Sequence, residues 1–345
     1  MRVAVSFRSL RSLSACRSLR SLYLVAALGA LGCGDDSEEK KPPTYSTMKP
    51  PPQGWKAAVG DGGTLLETFD DASWEVRRIT DHDLFAVSCI DNEVGWAVGA
   101  QGFVGHTEDG GWSWPAQVSG VTSTLRAVSF AFADDGAQVG FAAGDDGSLI
   151  ATQDGGEHWF YAHATSATLR GTAITEGASL LVAVGDGGVV VRSTSRGAAF
   201  EVSRIPDAGD LYDVALDASG GLALAVDSAG NVWVSRDQAK TFEREYTAPT
   251  GLEGVALGRS GQVGSAAGGG LALLRSSAGV WRSIPMAEPA SLGLHATLIG
   301  PHEDRAYFAG DDGALLESVD GGRSLFRVRA DTHATLRGIE DLEAR

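Results

Sequence analysis

The chain has 345 residues, 43% of them hydrophobic, enough to bury a substantial core in one or two domains. Its formal net charge of −16 argues against a nucleic-acid or anionic-membrane surface, which needs clustered Lys and Arg, and favours a cationic or neutral partner. Its 46 glycines recur at regular intervals and read as turns joining many short strands.

Residues 1–32 have the pattern of an export signal. Arg2, Arg8, Arg11, Arg17 and Arg20 precede an apolar run at 22–32 that is too short for a permanent membrane span. The run ends in A-L-G-C, which resembles a bacterial lipoprotein signal and implies a mature chain that starts at a lipidated Cys33. Localisation on the periplasmic or outer-membrane face of the envelope, held to the membrane by lipid alone, follows from that reading. Residues 33–53, rich in acid, Lys and Pro, are expected to form an extended tether. Cys16 leaves with the signal, so Cys89 in F-A-V-S-C-I has no internal disulfide partner and reads as a small buried hydrophobe.

Over residues 54–345 a unit of about 42 residues recurs seven times. Its glycine position falls at Gly60, Gly99, Gly144, Gly185, Asp227, Gly268 and Gly310. A hydroxyl follows eight residues later each time, at Thr68, Thr107, Thr152, Ser193, Ser235, Ser276 and Ser318. The constant offset predicts the same rigid hairpin in every unit. An element L-x-x-V starts at Leu84, Leu125, Leu169, Leu211, Leu252, Leu294 and Leu336. Four short strands per unit, repeated seven times, predict an all-β fold: a seven-bladed β-propeller of four-stranded antiparallel blades.

The segments T-E-D-G-G-W-S-W at 107–114 and T-Q-D-G-G-E-H-W at 152–159 are Asp boxes, the turns between third and outer strands. The carboxylate accepts turn N–H groups, the glycines supply positive φ, and the aromatic packs between sheets. Asp109, Asp154, Asp237 and Asp320 are read as structural acids of complete boxes; Ser195 replaces the acid in the fourth unit, and the first and sixth boxes are shortened. The first unit lacks an inner strand and the last inner strand, L-R-G-I-E-D at 336–341, has no unit after it. Joined in one blade, the two ends are expected to close the ring and remove its open edges.

The consensus L-R-x-V with G-W-A-V-G-D-x-G and T-x-D-G-G-x-x-W resembles the family of photosystem II assembly and stability factors. G-W-A-V-G at 95–99 is part of the nearest stretch, and the likeness covers residues 55–342. The resemblance implies a propeller that works as a non-catalytic assembly factor, and it does not carry a role in photosynthesis with it. Asp boxes are also similar to those of sialidases, which grip a carboxylate with three arginines beside a Tyr and Glu pair. Arg126, Arg170 and Arg337, with Tyr212 and Glu253 at equivalent positions, keep a glycan-binding or sialidase-like hydrolase as the alternative, although L-R-x-V is also the plain repeat consensus.

Antiparallel topology assigns the Asp boxes to one face and the turns between second and third strands to the other. That second face is the expected working surface. It carries Asp61, Asp145, Asp146, Asp186, Asp311 and Asp312, with Arg126, Arg170 and Arg337 beside them. The expected partner is an unidentified envelope protein bound by a monomer, with no cofactor, no metal and no nucleic acid.

Overall fold

The runs flanking each glycine turn form antiparallel strands because they are short, rich in apolar and β-branched residues and, as in Leu181–Gly185 and Val189–Ser193, buried along their whole length, while the glycines allow tight reversals. The computed structural model describes residues 55–70, 73–286 and 292–341. The expected export signal, Cys33 and tether lie outside them. Within this range the chain is a seven-bladed β-propeller, with strands ordered inner to outer in each sheet. Blade 3 is representative, with strands Leu125–Phe132, Gln138–Gly144, Ser148–Thr152 and Phe160–His163.

Closure occurs as the repeat pattern requires. The strand Leu336–Asp341 pairs with Lys56–Gly60 and supplies the inner strand of blade 1. The inner strand of each blade then packs against those of both neighbours, including blade 1 against blades 2 and 7. The core follows the same plan. One buried apolar cluster lies at each of the seven blade junctions, for example Leu65, Leu84 and Trp114 between blades 1 and 2, and Tyr307, Leu315 and Leu336 between blades 7 and 1. Cys89 is buried in the first of these, as its strand pattern predicts.

The turns between second and third strands show why glycine recurs. In blade 3 the turn Asp145–Gly147 places Asp146 at φ 57° and Gly147 at φ 68°. A Cβ on Gly147 would also lie 1.9 Å from the Thr165 carbonyl oxygen, so both backbone angle and space demand glycine.

Two blades depart from the repeat. In blade 2 the outer strand shrinks to a single bridge, Gly105 to Ala116, leaving three regular strands. Pro115 interrupts it: having no N–H, it offers only its carbonyl, which accepts from His106 N at 3.0 Å. In blade 6 the even spacing conceals a shorter turn. Gly268 pairs directly with Leu271, so Arg275, and not Ser276, stands in the ladder opposite Gly264, where Ser193 stands opposite Leu181 in blade 4. The expectation of seven identical hairpins therefore fails in blade 6, where a two-residue turn replaces a three-residue one.

Candidate binding site at the channel mouth

A β-bulge recurs at the start of the inner strands and determines what reaches the channel mouth. Pairing shifts between Leu84 and Ala86, Leu125 and Ala127, Leu169 and Gly171, Leu211 and Asp213, and Leu294 and Ala296. In blade 1 the same shift skips Arg337, because Gly60 pairs with Leu336 and Val59 with Gly338. The extra residues are thus Phe85, Arg126, Arg170, Tyr212, His295 and Arg337; such a bulge turns its side chain away from the regular pleat. Glu253 holds the corresponding place in blade 6, where its N–H donates to the Ala267 carbonyl at 2.7 Å.

The inner strands of all seven blades surround a cavity of about 530 Å³, with Phe85, Arg126, Arg170, Glu253, His295 and Arg337 in its lining. Each cation is clamped by an acid from the turn of its own blade. Arg126 donates from Nε to Asp145 at 2.5 Å and from Nη2 at 3.1 Å. Arg170 Nε reaches Asp186 at 2.5 Å and Arg337 Nε reaches Asp61 at 2.7 Å. His295 Nε2 lies 2.9 Å from Asp311, while its Nδ1 lies 2.7 Å from Glu253 of blade 6. Four of the six acids expected on the rim, Asp61, Asp145, Asp186 and Asp311, are therefore bonded to the Arg or His at the bulge of their own blade. Asp146 has no hydrogen bond among the described residues, and Asp312 takes exposed His333 at 2.6 Å.

The three remaining blades form an internal control. Where the first turn residue is Ala100, Ser228 or Gly269, the bulge position holds Phe85, Tyr212 or Glu253, and none of these is a cation. Phe85 and Tyr212 instead present ring faces to their neighbours. The Arg126 and Arg337 guanidinium carbons lie 5.3 and 5.2 Å from the Phe85 centroid, and that of Arg170 lies 4.9 Å from Tyr212.

Inside the channel, Asp213 stands where other blades have Ala86, Ala127, Gly171, Gly254, Ala296 and Gly338. Its carboxylate accepts from Val255 N at 2.9 Å and Val214 N at 2.8 Å, tying blade 5 to blade 6. Burial raises its pKa to about 7, against the lowering effect of those two N–H groups. Sequence reading passed over this residue, although a charge in a column of Ala and Gly was the available signal.

The opposite face carries the Asp boxes. In blade 2, Asp109 accepts from Thr107 Oγ1 at 2.8 Å, Ser113 N at 2.9 Å and Ser113 Oγ at 2.6 Å, while Thr107 Oγ1 accepts from Gly111 N at 2.9 Å. Asp154, Asp237 and Asp320 repeat the pattern. Asp70, missed in the shortened first box, does the same for Thr68 and Ser73. In blade 4, Ser195 substitutes by bonding Ala199 N at 3.0 Å. The Thr241 N–H holds Asp237, and the Ser324 hydroxyl holds Asp320, each at a pKa of about 2, so their stabilisation is fully present above the ordinary carboxylate range and is lost progressively as pH falls from there through about 2. Asp154, Glu157 and His158 are the one group of three potential metal-ligand side chains within 4.8 Å of one another among the described residues. All three are exposed, and the Asp154 carboxylate already accepts from Thr152 Oγ1 and His158 N.

These bonds predict that Asp109→Ala and Asp154→Ala each lower thermal stability, by about 1–3 kcal/mol for the turn donors left without an acceptor. Melting followed by circular dichroism checks this. A variant that kept its melting temperature but lost partner capture would show instead that the boxes are binding residues.

Fold and mouth together define a seven-bladed Asp-box propeller whose one-sided ring of bulged side chains surrounds a central cavity. The sequence profile of the photosynthesis system II assembly factor YCF48 family matches residues 47–336, and the chain belongs to that family. Two solved structures are similar in fold. One, described as YCF48 bound to D1 peptide, has a TM-score of 0.57 at 18% identity over 79% of this chain and 84% of its own. The other, YCF48 from Cyanidioschyzon merolae, has a TM-score of 0.60 at 18% identity over 76% of this chain and 90% of its own. No curated protein matches the chain.

Proposed function

We propose that the chain is a non-catalytic envelope propeller, lipid-anchored through Cys33, that binds a segment of a partner protein at the channel mouth. The carrying observation is the convergence of Arg126, Arg170 and Arg337 on one cavity with bonding capacity left over. Their Nε groups are fixed on Asp145, Asp186 and Asp61, while Nη1 of Arg126 and both Nη groups of Arg170 and Arg337 have no hydrogen-bond partner among the described residues. Family membership supports the reading, as does a fold relative described as bound to a peptide. Against hydrolysis stands the fate of the two groups a sialidase would pair: the Glu253 carboxylate is bonded to His295, and the Tyr212 ring lies under Arg170.

Crosslinked affinity capture from the native envelope tests the reading. Neutralising Asp146 and Asp312 to Asn leaves the Arg clamps in place and suits the positive φ of both positions, 57° and 52°. This pair should weaken capture several-fold and flatten its salt dependence without changing the melting temperature. Glu108→Gln with Glu157→Gln, beside the boxes of the other face, should leave capture intact. Cys33→Ser should move the protein from the membrane to the soluble fraction. Capture lost with the second pair but not the first would mean the wrong face, and cleavage of sialosides by purified protein would overturn the non-catalytic reading.

A further inference from the structure

Of the four cations at bulge positions, three are arginines that stay charged throughout the physiological range, and the fourth is a histidine. The arginines touch the neighbouring blade only through the Phe85 and Tyr212 rings, whereas His295 is, among the described residues, the one of the four that hydrogen-bonds across a blade junction. Its Nε2 meets Asp311 of blade 7 at 2.9 Å and its Nδ1 meets Glu253 of blade 6 at 2.7 Å. A neutral imidazole has one N–H and can satisfy one carboxylate; two carboxylates on the two ring nitrogens require the imidazolium, which donates twice. The side chain is 20% exposed, against 39% for Glu253 and 47% for Asp311, so the pairing is partly shielded from solvent.

We infer that His295 is a pH-sensitive latch between blades 6 and 7 at the channel mouth, closed as the imidazolium and released when it loses its proton. Release leaves Glu253 and Asp311 without the cation between them and removes one positive charge from the ring. The surroundings allow His295 to set this transition. In the blade 6 strand Gly264–Gly268 packed against it there is no ionisable side chain, and the blade 7 strand Ala306–Gly310 carries only Tyr307, which is buried. The strand Leu336–Asp341 carries Arg337, bonded to Asp61, with Glu340 and Asp341 further along, while Asp311 also receives the Thr335 hydroxyl at 3.4 Å. The hydrogen bond that the imidazolium donates to Glu253 is the main cause that raises the His295 pKa above its usual value; burial opposes it and Asp311 adds to the rise. A raised folded-state pKa means that the latch stabilises fully below the unfolded value and fades as pH rises through the folded one.

The inference is independent of any partner, so its test uses the purified chain alone. His295 ring signals, assigned by their loss in His295→Arg, should titrate with a midpoint above the roughly 6.5 of an unperturbed histidine. Glu253→Gln should lower that midpoint. The melting temperature of the wild type should fall more steeply across the same interval than that of His295→Arg, which copies the permanent cations of blades 1, 3 and 4; the Asp213 carboxyl, with its pKa of about 7, contributes the same slope to both profiles. A midpoint at or below 6.5, a midpoint indifferent to Glu253→Gln, or superimposable melting profiles of wild type and His295→Arg would each overturn the latch. Should the arginine variant fail to fold, the wild-type midpoint and its response to Glu253→Gln decide the matter.

Discussion

A chain truncated before Thr335 is expected to lose cooperative folding of the whole ring, because residues 336–341 are the inner strand of blade 1 and touch three blades. The lost ladder runs from Lys56 opposite Asp341 to Gly60 opposite Leu336. With it go the buried side chains of Leu336, Ile339 and Asp341, the Asp341 partner of buried Lys56 at 3.4 Å, and the Arg337 clamp on Asp61. Gly338 also packs so tightly against blade 2 that a Cβ there would sit 3.0 Å from Ala86 Cα. Burial of two large aliphatic side chains alone contributes about 3–6 kcal/mol, against a typical total of about 5–15 kcal/mol. A loss near 5 kcal/mol lowers the melting temperature by roughly 10–20 °C in a domain of this size. Scanning calorimetry of the truncated chain checks the result, and an unaltered transition would mean that the ring does not need this strand.

The ring, its closure and the Asp-box turns were legible because each depends on residue types that a tight turn demands, and those types recur at fixed spacing. What lay beyond reach depends on register. The pairs Arg126 with Asp145 and Arg170 with Asp186 form only because a bulge brings the second residue of L-x-x-V over its own turn, and bulges have no composition signature here. A trace did exist in the repeats, since an acid opens the turn wherever the bulge residue is Arg or His. In blade 6 the constant eight-residue offset misled, because a turn shortened by one residue and a hydroxyl displaced by one residue cancel in the spacing. Asp213 and His295 differ again: each makes its decisive contact with the neighbouring blade, about one repeat away in sequence, so no pattern within one unit reveals it.

Asp227 interrupts the glycine column, and restoring the consensus with Asp227→Gly is expected to destabilise the protein by at least about 1–3 kcal/mol, the scale for one buried neutral donor left without an acceptor, because several donors lose theirs together. The side chain is fully buried. One oxygen accepts from Ala229 N at 3.0 Å and Asn231 N at 2.8 Å; the other accepts from Trp233 Nε1 at 2.9 Å, Asn231 Nδ2 at 2.9 Å and Gly209 N at 3.2 Å. Burial pushes the carboxyl pKa up, but the Asn231 and Trp233 side chains, with the backbone donors, outweigh it and hold the pKa below its usual value. Its contribution is therefore present above the ordinary carboxylate range and lost as pH falls through the lowered value. Glycine would leave these donors facing a cavity. Asp227→Asn keeps the shape but turns one acceptor into an NH₂ group facing donors, so it should cost less than glycine and more than nothing. Urea denaturation of the three proteins at neutral pH should rank them wild type, Asn, Gly, and the gaps should narrow in acid as the wild-type carboxylate is protonated. Consensus substitutions commonly stabilise repeat folds. A glycine variant as stable as the wild type would therefore mean that Asp227 is an eroded repeat position, and that the six hydrogen bonds its carboxylate accepts contribute nothing beyond what water supplies.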